Sequence, residues 1–128
     1  MNIKNFFIGL AAFLAIDAFW LGFVASKLYK SKLGYLMADK PNLVAAGIFY
    51  VLFIIGLLYF VINPALVQKD LLKAVLSGAL FGLITYATYD LTNLATVKDW
   101  PLLITVIDMA WGTFLGAVTT LVIMLFNR

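Results

Sequence analysis

The chain has 128 residues, of which 65% are hydrophobic and 12% are charged, and its formal net charge is +3. Soluble domains are about 45–50% apolar and about 25% charged, so this composition excludes an ordinary soluble domain and predicts one membrane-embedded unit. Cysteine, histidine and glutamate are absent, which excludes disulfides, thiol chemistry and the usual zinc, copper and haem sites. We therefore expect no cofactor and no metal centre, although oxygen ligands for a hard cation remain possible in principle.

Four apolar stretches follow one another along the chain, at about residues 5–26, 42–67, 71–95 and 101–126. Each is long enough to cross the hydrocarbon core, which takes about 20 residues of helix. A lone strand would leave its backbone polar groups unsatisfied in lipid, so the stretches are predicted to be helices. The predicted fold class is therefore all-α, a bundle of four transmembrane helices, and residues 1–128 form a single membrane domain.

The first stretch also fits a signal peptide, because Lys4 precedes an apolar run. Asp17 interrupts that run and no clear small-x-small cleavage site follows, so we interpret the stretch as a retained span. Residues 27–40 are rich in lysine and form the main polar loop; we call the membrane face that carries this loop the loop side. The connections at 68–70 and 96–100 are short and predict antiparallel neighbours.

The basic residues flank the apolar stretches and are divided almost equally between the two membrane faces. This placement is typical of anchoring at the membrane interface and does not assign an orientation. It also gives no reason to expect nucleic acid as a partner. We expect a multi-pass protein of the inner (cell) membrane, in contact with membrane lipids.

Three aspartates, Asp17, Asp90 and Asp108, lie inside the apolar stretches. A charged side chain at a helix centre costs about 2.5–3.5 kcal/mol on insertion scales, so each needs a partner or a function. The first and fourth stretches both read Ile-Asp-x-x-Trp, with Trp20 and Trp111 on the helix face of their aspartate. In antiparallel helices each indole is then level with the other helix's carboxylate, which predicts reciprocal hydrogen bonds. The alternative is that the tryptophans belong to the aromatic belt at the interface.

The third stretch adds a polar stripe, because Tyr86, Asp90 and Asn93 follow i, i+4, i+7 spacing. Tyr89 lies on an adjoining stripe, and Tyr50 of the second stretch is at the same depth. All of these residues fall in the half of the membrane nearest the loop side, which predicts one polar pocket opening toward it. The candidate ligand-binding residues are Asp17, Trp20, Tyr50, Tyr86, Tyr89, Asp90, Asn93, Asp108 and Trp111.

Gly78 and Gly82 form a Gly-x-x-x-Gly pair in the third stretch. Small residues at this spacing let membrane helices approach closely. The pair predicts either packing within one chain or the seam of a homodimer.

The segment from Tyr86 to Thr96, followed by Trp100-Pro101, resembles a family of small bacterial four-span membrane proteins, and its Tyr-Asp-Leu-Thr-Asn core is fairly specific. Matching segments are Asp17 with Trp20-Leu21-Gly22, Pro41-Asn42 with Ala45-Ala46 and Phe49-Tyr50, and Asp108 with Trp111-Gly112. The resemblance implies the four-helix topology and no particular activity.

Three functions fit these residues. Clustered carboxylates with tyrosine, threonine and asparagine oxygens suit a site that binds or transports a small cation or small polar molecule. A pair of aspartates with a tyrosine also suits a cofactor-independent membrane enzyme acting on a lipid or isoprenoid. In the third reading, the aspartates only satisfy tryptophan and tyrosine donors within a structural or assembly protein.

Overall fold

The computed structural model describes residues 2–128 and contains four helices long and apolar enough to cross a membrane. They are α1 (Ile3–Leu33), α2 (Leu43–Gln68), α3 (Leu71–Thr96) and α4 (Leu102–Leu125). No β-strand occurs within the described range 2–128. The predicted all-α bundle of four membrane-spanning helices is confirmed.

Polar side chains immediately before three of the helices explain where those helices begin. Asn2, Asn42 and Asp70 each accept a hydrogen bond from a backbone N–H in the first turn, at 2.9, 3.1 and 3.1 Å. Such caps satisfy backbone donors that have no partner inside the helix. The fourth helix begins after Pro101, whose fixed backbone angle suits a helix start.

Helix α1 is longer than the sequence predicts. The sequence predicts that the apolar stretch ends near residue 26 and that a loop runs from 27 to 40, but the helix continues to Leu33. Loss of hydrophobicity marks where a helix leaves lipid, and it does not unwind the helix, since lysine is a good helix former. The 31 residues of α1 span about 46 Å, well beyond an apolar layer of about 30 Å.

Two helices contain a π-helical segment. In α1 it covers Trp20–Ala25, and in α2 it covers Leu58–Ile62, immediately before Asn63 and Pro64. Proline lacks the N–H that would bond the preceding turn, which accounts for an irregular turn at this point of α2. The segment in α1 has no proline, and π-helical turns of this kind occur frequently at functional sites.

Helices α3 and α4 make the most extensive contact in the bundle, through a glycine seam formed by Gly78, Gly82, Gly112 and Gly116. A Cβ atom on Gly82 would collide with the carbonyl oxygen of Gly112, and one on Gly116 would collide with that of Gly78. The two backbones are therefore in direct contact. These contacts lie within one chain, as one alternative for Gly78 and Gly82 predicts, while the homodimer stays a prediction of the sequence.

Helix α1 packs against α4 and α2 around an aromatic and aliphatic core. The rings of Phe13 and Phe53 lie 4.8 Å apart between centroids, and Leu57 and Leu115 are fully buried beside them. Large apolar side chains also cover the outside of the bundle, where Phe23 is 81% exposed. An apolar exterior of this kind is the surface that lipid covers in a membrane protein.

Candidate functional site

All four helices contribute to a cavity of about 630 Å³ in the half of the bundle nearest the loop side. Its wall is mainly aromatic and carries two of the three intramembrane carboxylates. The lining residues are Asp17, Trp20, Leu21, Tyr29, Ala46, Phe49, Tyr50, Thr85, Tyr86, Tyr89, Asp108 and Trp111. Seven of the nine predicted site residues are among them, and Asp90 and Asn93 are not.

The carboxylate of Asp17 joins three helices. It is only 7% exposed, and each of its oxygens accepts one hydrogen bond from another helix. The indole N–H of Trp111 in α4 donates to Oδ1 at 3.0 Å, and the hydroxyl of Tyr50 in α2 donates to Oδ2 at 3.2 Å. These bonds offset part of the cost of burying the carboxylate.

The carboxylate of Asp108 is approached differently. The Tyr29 hydroxyl donates to its Oδ1 at 2.8 Å, and the Trp20 indole N–H donates to the Tyr29 oxygen at 3.4 Å. One half of the predicted reciprocal pairing, Trp111 with Asp17, is therefore present. The other half is wrong in its direct form, because Tyr29 stands between Trp20 and Asp108.

The two indole rings lie against each other inside the bundle. Their centroids are 4.4 Å apart and their planes differ by 8°, a stacked arrangement. Both Trp20 and Trp111 line the cavity. The pair therefore forms a flat aromatic surface of the cavity, joined to Asp17 by the Trp111 N–H and to Asp108 through Tyr29.

The π-helical segment explains how Tyr29 reaches this site. Trp20 and Tyr29 are nine residues apart in the chain. In a regular α-helix that separation is about two and a half turns, which would place the two side chains on opposite faces. The wider turns of Trp20–Ala25 reduce the rotation per residue and turn Tyr29 back toward Trp20, whose indole N–H its hydroxyl oxygen accepts at 3.4 Å.

Asp90 lies behind the cavity wall and not in it. The side chain is fully buried, and no donor in the part of the chain that the structure describes reaches either carboxylate oxygen. Its neighbour across the α3–α4 contact is the carboxyl group of Asp108. Asn93, one turn further along α3, is half-buried and also lies outside the lining.

The loop-side end of the site is held by contacts between connections. The hydroxyl of Tyr35, just after α1, donates to the backbone carbonyl of Asp99 at 2.8 Å. Trp100 donates to the Thr105 hydroxyl at 3.1 Å, and its ring meets that of Tyr89 edge-on at 5.7 Å. The Trp100 ring, held by its hydrogen bond to Thr105, thus packs against Tyr89 of the cavity wall.

The chemistry of the lining suits a cation more than an anion. No lysine or arginine is among the lining residues, while two carboxylates and seven aromatic rings are. Aromatic faces and carboxylates both attract positive charge. Within residues 2–128 there is no cluster of three or more acidic, histidine or cysteine side chains able to hold a metal ion.

Comparison with known proteins gives a family. Residues 2–125 match the family described as "Predicted membrane protein (DUF2177)". No curated protein and no solved structure matches the chain. Because the family match covers nearly the whole sequence, it confirms the resemblance carried by the Tyr-Asp-Leu-Thr-Asn segment. The chain therefore belongs to the DUF2177 family of predicted membrane proteins.

Proposed function

We propose that this protein binds a small organic cation in the cavity between its four helices. The observation that carries the proposal is the position of Asp17 and Asp108 on one aromatic wall of a cavity of about 630 Å³. Pockets for small molecules are typically about 300–1,000 Å³. A bare metal ion would leave most of this space unfilled, so the volume favours an organic ligand.

The charge balance of the cavity supports a positive ligand. Its only charged lining residues are the two carboxylates, and their hydrogen-bond partners are neutral N–H and O–H groups. Carboxylates without a counter-charge are costly in an apolar environment. A cation placed beside Asp108 would reduce that cost, which is a source of binding free energy.

The two carboxylates differ in how fully protein donors occupy them. An ionised carboxylate has about four acceptor positions. Asp17 uses two of these positions. Asp108 uses one, for the hydrogen bond that it accepts from the Tyr29 hydroxyl. The half-buried Asp108 is the more available of the two, so we assign it the direct contact with the cation.

The aromatic wall adds a second source of affinity. The stacked indoles of Trp20 and Trp111 lie next to the rings of Tyr50 and Tyr86 in the lining. A cation over such a ring gains about 0.5–2 kcal/mol, the larger value when it is desolvated. A quaternary ammonium group with an apolar substituent matches both features, the carboxylates and the rings.

The test compares binding of one cation with binding of a neutral compound of the same shape. Benzyltrimethylammonium and neopentylbenzene have nearly the same shape and differ in charge. We expect the purified protein in detergent to bind the cation saturably in equilibrium dialysis and to bind the neutral compound at least tenfold more weakly. Benzyltrimethylammonium carries no N–H, so Asp108 attracts it by charge. Two opposite charges about 4 Å apart gain about 4 kcal/mol at an effective dielectric constant of about 20, so Asp108→Asn should weaken cation binding by tenfold or more. Equal binding of the two compounds would refute the proposal.

Asp39→Asn is the matched control for that substitution. Asp39 lies exposed in the loop after α1, so its replacement removes one negative charge and leaves the cavity intact. We expect wild-type binding in this variant. If Asp39→Asn weakened binding as much as Asp108→Asn, the effect would come from net charge and not from the site.

Transport of the bound cation is the natural extension of the proposal. Uptake of radiolabelled benzyltrimethylammonium into proteoliposomes would measure it directly. We expect uptake to be abolished by Asp108→Asn and retained by Asp39→Asn. Saturable binding without any uptake would restrict the protein to binding.

A further inference from the structure

The contact between α3 and α4 follows one register from end to end. Each step of four residues forward in α3 meets a step of four residues backward in α4, as expected for antiparallel helices. The contacting pairs are Gly78 with Thr120, Gly82 with Gly116, and Tyr86 with Gly112. The next pair in this series is Asp90 with Asp108, which the same register places side by side one turn beyond Tyr86 and Gly112 and whose carboxyl groups interact.

Asp90 is the unusual member of that pair. It is fully buried, and neither of its oxygens meets a donor among residues 2–128. The titratable groups that face the pair are Tyr29 of α1, which bonds Asp108, the Asp17 carboxylate of the same helix, and Tyr86 and Tyr89 of α3. The tyrosine that α2 contributes to the cavity, Tyr50, bonds Asp17 instead.

An ionised carboxylate can only accept hydrogen bonds. Two ionised carboxylates in contact would therefore repel each other and leave Asp90 without any partner. One proton placed between them converts one group into a donor and satisfies both. Pairs of carboxyl groups that share a site in this way hold a proton because both cannot ionise together.

We propose that Asp90 and Asp108 hold one proton between them and that an organic cation binding at Asp108 releases this proton. The second half rests on the proposed function. In the exchange, the O–H bond of the shared carboxylic acid breaks, and the proton passes through the cavity to water on the loop side. The cation takes over as counter-charge, so one positive charge replaces another and the net charge of the site is unchanged.

The shared proton is tested without any ligand. Infrared spectra of the ligand-free protein at neutral pH should contain the carbonyl stretching band of a protonated carboxylic acid, shifted in deuterated water. Asp90→Asn should remove this band, because an asparagine amide donates to Asp108 in place of the proton and keeps the hydrogen bond. Asp39→Asn should retain it. A wild-type protein without the band, or an Asp90→Asn variant that keeps it, overturns the proposal.

The release is tested by calorimetry with benzyltrimethylammonium, which carries no exchangeable proton. Titrations in buffers with different ionisation enthalpies count the protons released on binding. We expect about one proton per bound cation in the wild type and almost none in Asp90→Asn. Binding heats that do not depend on the buffer overturn the coupling.

The two measurements also separate this inference from the proposed function. If the infrared band is present but the cation does not bind, the proposed function and the coupling fail together, and the shared proton stands. If the cation binds to a protein that lacks the band, the proposed function stands and the shared proton is refuted.

Discussion

Replacing Gly82 by alanine tests the tightest contact in the bundle. A Cβ atom at this position would collide with the carbonyl oxygen of Gly112, and would lie 2.9 Å from its carbonyl carbon and 3.3 Å from the Cα of Gly116. All three are backbone atoms of α4, so no side chain can rotate away to make room. The substitution therefore forces α3 and α4 apart along the glycine seam.

The expected cost follows from two opposing effects. Overpacking of a close contact typically costs about 1–3 kcal/mol, and the upper end applies here because the obstacle is backbone. Alanine is favoured over glycine in a helix by about 0.5–1 kcal/mol, which offsets part of that cost. We expect Gly82→Ala to lower the free energy of unfolding by about 2 kcal/mol.

Gly47→Ala is the matched control, because a Cβ atom at Gly47 would meet nothing within 4 Å. It should leave stability unchanged or raise it by up to about 1 kcal/mol. Unfolding in mixed micelles of mild detergent and sodium dodecyl sulfate, followed by circular dichroism, compares the two variants. Equal unfolding midpoints for Gly82→Ala and Gly47→Ala would refute the reasoning.

Three further substitutions test the hydrogen bonds that join the helices, in the same unfolding assay. Tyr29→Phe leaves the part-buried Trp20 donor without its acceptor and Asp108 without its donor, and it should cost about 1–3 kcal/mol. Tyr59→Phe, at a side chain 69% exposed on the outside, should be neutral, and similar effects of the two would contradict the bridging role. Trp111→Phe removes one of the two donors to the α1 carboxylate and should cost about 1–3 kcal/mol, an expectation that an unchanged midpoint would disprove. Asn127→Ala takes away the 2.8 Å bond to the buried amide oxygen of Asn5, and we expect a loss of similar size; a variant as stable as wild type would show that this bond contributes nothing.

The membrane-spanning bundle could be predicted from the sequence because the bilayer imposes it. Four stretches of sufficient length and apolarity have no stable structure in lipid except helices. The contact between Asp17 and Trp111 could also be predicted, since helix rise converts sequence position into depth. Antiparallel helices that start at opposite faces then place known residues at the same level.

Depth alone does not determine which way a side chain faces. Asp90 lies at the depth of the cavity, but the glycine seam turns it toward α4, so it lies behind the wall. Tyr29 was missed for a related reason. The lysine-rich sequence predicts a loop at this position, and regular helical periodicity would in any case place Tyr29 opposite Trp20. The rotation introduced at Trp20–Ala25 has no proline or other clear signal in the sequence.

The hydrogen bonds of Asp17 impose an order on synthesis and membrane insertion. The chain emerges from its N-terminus, so Asp17 enters the apolar layer before either of its donors has reached the membrane. The first donor, Tyr50, follows 33 residues later, and the second, Trp111, follows 94 residues later. Helix α2 thus supplies the first hydrogen-bond donor to a carboxylate that the bilayer disfavours. In a chain that stops before α4, Asp17 has the Tyr50 donor but lacks the Trp111 donor. An incomplete chain therefore differs from a complete one in the number of hydrogen bonds to this carboxylate inside the membrane.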